Sequence, residues 1–585
     1  MKEQGTPRWG AWYQRDGRVR FRLWAPAARL VELLLGEQCL LMRADAAGFH
    51  EVTAAAPAGS RYRYRIDGDA VVPDPASRWQ PDGVGGASAV LDDTSYTWRH
   101  APSVRPWHEL VIYEVHLGCS GGYTGLQAQL PTLAASGITA IELMPLAQFP
   151  GRRNWGYDGV LPFAPAAAYG SPDQLKSLVD HAHGLGMTVL LDVVYNHLGP
   201  YDNHMARYAP GFTRCDRATP WGEAIDLRQR PVQEFVIDNA LMWLREYRFD
   251  GLRLDAAQEI RPSRFLGQLA DTLRAELGER RQIHLVLENE HRQPHWLQDR
   301  YQGQWNNDFH HALHVIVTEE KEGYYRPYAV PGQAEAALAR CLQAGFSEAT
   351  DRGDASRAAR ADDGRLPPDR FVVFAQNHDQ IGNRAFGERL TTLVDPLRAR
   401  LATAMALLTP MTPMVFMGEP WQSKVPFLYF IDIDPALAAR VREGRRREFR
   451  AFLAYGDAQA YIGLPDPNAP ITLACSAVAL PTAGNGPEAQ ALAAFAQWTA
   501  LRRRYLWPAR GAAGSLGAQV IGPRAVSAGW QLPAGQWWLA FNASDAPVAH
   551  GLPAGDCILE LSACRDDQRD GQLAGPGLRV HWRAA

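Results

Sequence analysis

The alternation of apolar and polar positions changes character twice along the chain. Residues 1 to about 95 carry short runs of period two, at 20–24 (RFRLW), 30–35 (LVELLL) and 62–66 (YRYRI). Turn signals such as Asp16-Gly17 and Asp67-Gly68 separate these runs. The spacing predicts a small β-sandwich over 1–95. A glycine-rich stretch at 82–86 then leads to a linker, 96–108. From 109 to 506, apolar strand-like runs alternate with helical segments. The runs fall at 111–115, 140–144, 189–194, 252–255, 284–288, 371–374 and 414–417, with a weaker one around Trp305. Amphipathic stretches such as 172–185 and 231–247 lie between most of them. Eight strands alternating with helices predict an α/β chain built on a (β/α)8 TIM-type barrel. A doubly wound sheet is the alternative, but no glycine-rich phosphate fingerprint follows the first strand. After a helix near 489–505, residues 507–585 return to short strands such as 536–540, a C-terminal small β domain.

Composition narrows the function classes. With 585 residues the chain exceeds one ordinary core. A net charge of −3 and a pI near 6.6 give no support for a nucleic-acid partner. The basic run at 445–450 is broken by Glu448 and Phe449 and reads as a solvated helix face. No segment has the apolar length of a membrane span. The start of the chain lacks a signal-peptide core, and the seven cysteines are scattered, without metal-type spacing. A reducing, cytoplasmic setting is the expectation. The Ala/Asp/Arg-rich segment 349–366 reads as a surface insertion. Eighteen Trp and twenty Tyr suit sugar stacking but are equally ordinary core material.

Chemistry gathers at the C-terminal ends of the predicted strands, where barrel active sites lie. GLRLDAA (251–257) puts Arg253 and Asp255 on one strand face and Leu252 and Leu254 on the other. Such a pair is either a buried carboxylate neutralised by its arginine or a nucleophilic carboxylate kept ionised and aimed. The third strand runs into Asp192-Val193-Val194-Tyr195-Asn196-His197, the fifth ends at Glu288-Asn289-Glu290, and the seventh at Gln376-Asn377-His378-Asp379. One ionisable residue at a strand end is commonly structural. Three carboxylates and two histidines facing one mouth are hard to explain by packing. Glycoside hydrolysis needs an ionised carboxylate at the sugar carbon and a protonated carboxyl at the leaving oxygen. Asp255 suits the first role and Glu288 the second, with Glu290 as a weaker alternative acid. Clustered carboxylates repel, so at least one pKa is expected to rise. Asp379 would add to that repulsion, and His197 and His378 are natural donors to sugar hydroxyls.

The segments DVVYNH (192–197), GLRLDAA (251–257), LVLENE (285–290) and QNHDQ (376–380) resemble, in order and spacing, four sequence regions of the α-amylase family of glycoside hydrolases. The resemblance implies a retaining mechanism with Asp255 as nucleophile, Glu288 as acid/base and Asp379 as transition-state stabiliser. It also implies that Arg253, His197 and His378 bind around the reacting sugar and that Tyr157, in NWGYD (154–158), stacks on it. Within that family, segments 141–160, 219–226, 304–314, 376–389, 426–430 and 74–90 are similar to the maltooligosyltrehalose trehalohydrolases. Those enzymes cleave the α-1,4 bond next to a terminal trehalose unit of maltooligosyltrehalose, releasing trehalose. A maltooligosyltrehalose synthase is then the implied metabolic partner.

Some positions depart from that pattern. The loop after the first strand, at 118–123, is short, and MGEPW (417–421) has Pro420 where a second acid is usual. Trp155 and Trp221 are either stacking platforms or loop-packing residues. Asn307 and Asp308 are expected on the trehalose side, Asp308 being alternatively a helix cap. Asn196 resembles a calcium ligand of some α-amylases, but no carboxylate cage accompanies it, so no metal and no other cofactor are expected. A glucan branching or debranching enzyme of the same clan, and a glucan-binding protein without catalysis, are the competing readings.

Overall fold

Within the strand Arg18–Trp24, Val19, Phe21 and Leu23 are completely buried in the computed structural model, and the arginines between them are less so. The structure describes residues 9–563 and 571–585, apart from 15, 104, 220, 279–280, 292, 348–365, 450–462 and 483. The insertion expected at 349–366 therefore lies, but for its last residue, outside the described residues, as do Cys564 and Arg450.

The N-terminal strands form two antiparallel sheets. Gly10–Tyr13, Arg18–Trp24, Phe49–Ala55 and Arg43–Ala44 make one; Gln38–Leu41, Val31–Leu35, Arg61–Ile66 and Ala70–Val72, with Ser88–Ala89, make the other. The following eight strands close into a parallel barrel in chain order. They are β1 Ile112–Val115, β2 Ala140–Leu143, β3 Thr188–Val193, β4 Gly251–Leu254, β5 His284–Leu287, β6 Gly303–Trp305, β7 Phe371–Val373 and β8 Thr412–Phe416. Principal helices are α1 Gly122–Ala135, α2 Pro172–Gly184, α3 Arg230–Arg245, α4 Arg264–Leu277, α5 Asn307–Thr318, α6 Gln333–Ala344, α7 Pro396–Leu407 and α8 Pro487–Tyr505. The expected TIM-type barrel is thus what the chain forms. The segment 118–123 is a 3-10 turn passing into α1. A five-stranded antiparallel sheet, from Gly514–Gly522 to Gly577–Ala584, follows α8.

Aromatic and ionic contacts seat the flanking sheets on the barrel. Trp9 packs edge-on against Phe235 of α3 at 4.9 Å, and Arg78 meets Glu246 at 3.4 Å. At the other end, Trp537 donates its indole N–H to the carbonyl of Leu408, just past α7, at 2.8 Å. Arg502 of α8 is buried and donates to the carbonyls of Leu407, Thr409 and Met411. The last carbonyls of α7, which no helical turn can satisfy, thereby gain partners from distant sequence.

The segment leading into the barrel is gripped by one acid. Asp180 of α2, with no side-chain exposure, accepts from the backbone N–H groups of Arg99 and His100 at 3.1 and 2.9 Å, the Arg99 side chain at 3.2 Å and the Tyr96 hydroxyl at 3.2 Å. Burial opposes its charge, but these donors hold the carboxyl down to about 2. Its stabilising contribution is therefore complete above the ordinary value of 3.8 and is lost as pH falls toward 2. Asp180→Ala should lower the unfolding free energy at pH 7 by about 1–3 kcal/mol, because it removes the charged acceptor that these donors share. Urea titration reads this directly; an unchanged midpoint would show that the linker docks without Asp180.

Candidate active site

Strand parity turns a few polar side chains into the barrel interior at its C-terminal end. Glu114 and Glu142 are paired across β1 and β2, and Asp192 and Arg253 across β3 and β4. All four are almost completely buried among Trp305, Phe374 and other interior apolar groups. A bare guanidinium is prohibitively costly there, so it must be matched.

Arg253 is matched three times. Its Nη1 lies 2.6 Å from Asp192 Oδ2 and 3.0 Å from Asp255 Oδ1, and its Nη2 lies 2.8 Å from Glu288 Oε2. The face of the guanidinium rests over the Trp305 ring at 4.0 Å. Burial works against its charge, but Asp192 and Glu288 outweigh that and hold the proton far above the usual range. One cation therefore brings Asp255 and Glu288, the two carboxyl groups singled out in the sequence, to the same point.

Asp255 stands just past the end of β4, its N–H bonded to the carbonyl of Val193 at 3.0 Å. Arg253 takes one carboxylate oxygen; Asn196 Nδ2 donates to the other at 2.9 Å and also to the Asp255 carbonyl at 2.9 Å. Asn196, likened to a calcium ligand from its motif, is thus engaged with Asp255. The next residue, Ala256, has φ of +39°, a left-handed conformation costly for a residue with a Cβ. The Ala256 N–H donates to Glu288 Oε2, 3.0 Å away. Glu290, the alternative acid, is exposed.

Asp379 and the histidines complete the mouth. The Asp379 side chain is 41% exposed, and His378 beside it is buried. The turn of NWGYD depends on Gly156, at φ +109°, where a Cβ would lie 2.3 Å from the Pro145 carbonyl oxygen. It delivers the Tyr157 hydroxyl to Asp192 Oδ2 at 2.6 Å and His378 Nε2 at 2.9 Å. His197 is buried, bonded through Nδ1 to Asn196 Oδ1, and its ring lies nearly parallel to Trp221 at 5.6 Å. Trp221 is 47% exposed, as a platform residue would be.

Trp155 is otherwise placed. It is 4% exposed, stacked on Phe427 at 5.1 Å, with its indole N–H on the Leu428 carbonyl at 2.9 Å. Gly382 admits it, since a Cβ there would come within 2.1 Å of the Trp155 ring. Of the two alternatives for Trp155, this is loop packing behind His378. Asp308 does not cap α5. Asn306 does, accepting from the Phe309 N–H at 3.1 Å, while Asp308 accepts from the Tyr328 hydroxyl and the Ser347 N–H, each at 2.9 Å. Asn307, half-buried, begins α5 just after β6.

Among the acids gathered here, carboxyl pKa rises at Asp192, Asp379 and Glu142, the last through burial. Burial pushes Asp192 up to about 7 against the pull of Arg253. Asp379 is raised by the depth of its cleft and by the charges of Glu288 and Glu114, with His378 and Arg253 opposing. Sequence reasoning missed Asp192, Glu114 and Glu142 as site components. Their signal was available, as acids at inward-facing positions of otherwise apolar strands. Asp379 opens on a cleft of about 420 Å3, lined also by Glu320, Tyr324, Asn383 and Arg384. Glu320 is held there by His314 at 2.8 Å and by Arg384 at 2.7 and 2.8 Å.

Comparison with known proteins agrees with this arrangement. Residues 8–80 match the model of carbohydrate-binding module 48 (isoamylase N-terminal domain), and residues 78–209 that of the alpha amylase catalytic domain. A Deinococcus radiodurans protein named malto-oligosyltrehalose trehalohydrolase is 38% identical over 508 residues, covering 83% of this chain and 81% of its own. A Saccharolobus solfataricus protein of the same name is 39% identical over 456 residues, covering 74% and 79%. A crystal structure of a provisionally assigned alpha amylase from Salmonella typhimurium is 36% identical, with a TM-score of 0.90 over 99% of this chain and 100% of that one. Pullulanase from Paenibacillus barengoltzii, 19% identical with a TM-score of 0.71 over 99% of this chain and 95% of that one, shares the fold. The eight-stranded barrel, the four motifs at its mouth and this extent of identity place the chain in the malto-oligosyltrehalose trehalohydrolase family of α-amylase-type glycoside hydrolases.

Proposed function

We propose that the chain hydrolyses the α-1,4-glucosidic bond next to the terminal trehalose unit of maltooligosyltrehalose, releasing trehalose by a retaining double displacement. The observation that carries the reaction class is the single buried guanidinium touching both Asp255 and Glu288. Asp255, with both oxygens held, attacks the sugar carbon; Glu288 protonates the departing oxygen and then takes the proton from the attacking water. Asp379, His378, His197 and Tyr157 surround the reacting sugar, Arg253 aims the nucleophile, and Trp221 stacks on the chain. Trp155 contributes by backing His378. Asn307 and Asp308 are assigned to the trehalose side. The trehalose specificity is supported by the names of the relatives.

The working division is 1–95, 96–108, 109–506 and 507–585. A maltooligosyltrehalose synthase would supply the substrate, and the cytoplasm is the proposed setting. Cys39, Cys119, Cys475 and Cys557, which form no disulfide, support that setting. Among the described residues no helix is long and apolar enough to cross a membrane, and no group of three or more His, Cys, Asp or Glu is placed to hold a metal ion. The mechanism draws on neither a metal nor another cofactor.

Incubation with a maltooligosyltrehalose should yield free trehalose plus a maltooligosaccharide. New branch points would instead mark transfer, and binding without any cleavage would mark a non-catalytic glucan binder. Asp255→Asn should reduce trehalose release by about 10⁴-fold or more while the protein stays folded. Trehalose release at the native rate by that variant would remove Asp255 from the nucleophile's role. Arg253→Lys keeps the charge but cannot present two nitrogens in one plane. It should lower kcat by about 10²-fold, through misplacement of Asp255 and Glu288, with a smaller change in KM. A change confined to KM would show that Arg253 serves ground-state binding alone.

A further inference from the structure

One buried acid on β1 has no part in the chemistry above. Glu114 is 1% exposed, and both of its oxygens are directed at one residue. Oε2 accepts the backbone N–H of His378 at 3.1 Å, and Oε1 is bonded to the His378 ring at Nδ1. On the other side of the ring, Nε2 lies 2.9 Å from the Tyr157 hydroxyl oxygen and 3.5 Å from Asp379 Oδ1.

The direction of each hydrogen bond follows from counting protons. The Tyr157 hydroxyl carries one proton, and its shorter contact, 2.6 Å, is to Asp192 Oδ2, an oxygen that also receives Arg253 Nη1 at 2.6 Å. An oxygen beside a guanidinium is an acceptor, so the Tyr157 proton points to Asp192. The Tyr157 oxygen must then accept from His378 Nε2. At the other nitrogen, Glu114 already accepts a backbone N–H and needs a proton from Nδ1. With both ring nitrogens donating, the ring is an imidazolium.

We infer that Glu114 is a positioning residue that keeps His378 cationic, so that one polarised chain runs from Glu114 through His378, Tyr157 and Asp192 to Arg253 and fixes Asp379 beside the reacting sugar. Every charged or titratable group facing the ring takes part in the balance. Glu114 from β1, Glu142 from β2 and Asp379 favour the cation; Arg253 from β4 and His116 past β1 oppose it. Burial also opposes it, yet Glu114 and Asp379 lift the ring to about 9. His116, buried without a carboxylate of its own, is instead pushed down to about 4. The contrast between two buried histidines shows what the adjoining carboxylates Glu114 and Asp379 contribute together.

The inference rests on the proposed hydrolysis for its catalytic meaning, but the charge of His378 can be read without turnover. The ring-nitrogen NMR signals of histidine-labelled protein report protonation directly, and His378 is assigned by the signals lost in His378→Gln. In the native protein His378 should be doubly protonated from pH 6 to 8 and titrate near 9. In Glu114→Gln the titration should fall by about 1–3 pH units, as expected when a contacting opposite charge is removed. Glu114→Asp should restore most of that fall and, being close to native, covers the case in which the glutamine variant does not fold. The alkaline limb of kcat on the glucan that is cleaved should move down in parallel, with KM changing less. A neutral His378 at pH 7 in the native protein, or an identical titration in Glu114→Gln, would overturn the inference. Native NMR behaviour without trehalose release would leave it standing and remove the proposed substrate instead.

Discussion

A fully buried guanidinium admits very few surroundings, and those around Arg253 organise the mouth of the barrel. The cation is extracted from water by the interior layer of the barrel, which includes Trp305, and is compensated by Asp192, Asp255 and Glu288. Removing one acid would take a partner from the buried guanidinium, and removing Arg253 would leave three acids to repel one another. The same contacts that make the cation tolerable bring the carboxyl groups together. Stability and geometry are therefore enforced by one set of distances.

Around this centre, the protein divides its labour between strands and loops. Groups that define the reaction class stand on β3, β4 and β5 or within a residue or so of their ends, where the register of a closed barrel leaves little freedom. The cleft beyond Asp379 is built from longer connections, whose side chains hold one another, as Glu320 is held by His314 and Arg384. A rigid centre with a separately constructed rim lets related chains of one fold act on different glucans.

Much of this was legible before any coordinates. Apolar runs alternating with helical stretches located the eight barrel strands, and the Arg253–Asp255 spacing placed both groups on one face because parity is a local property of a strand. Glu114 escaped notice for the converse reason. Its partner His378 stands past the end of β7, 264 residues away, and no periodicity encodes a contact made through closure. Trp155 and Asp308 show a subtler gap. A tryptophan beside a catalytic motif can face the ligand or the scaffold with identical sequence, and burial alone separates the two. At α5 the cap fell on Asn306, two residues before Asp308, because the strand end set where the helix begins.

The attachment of the segment from α8 onward to α7 bears on how the molecule is made. A ribosome delivers β1 to β8 before it delivers Arg502 and Trp537, and domains assemble from the N-terminus as they emerge. Until those two side chains arrive, the carbonyls ending α7, the helix that joins the seventh strand to the eighth, lack the donors they have in the finished protein. A chain shortened before Arg502 would still hold every catalytic group named above, yet the carbonyls that end α7 would be without these donors.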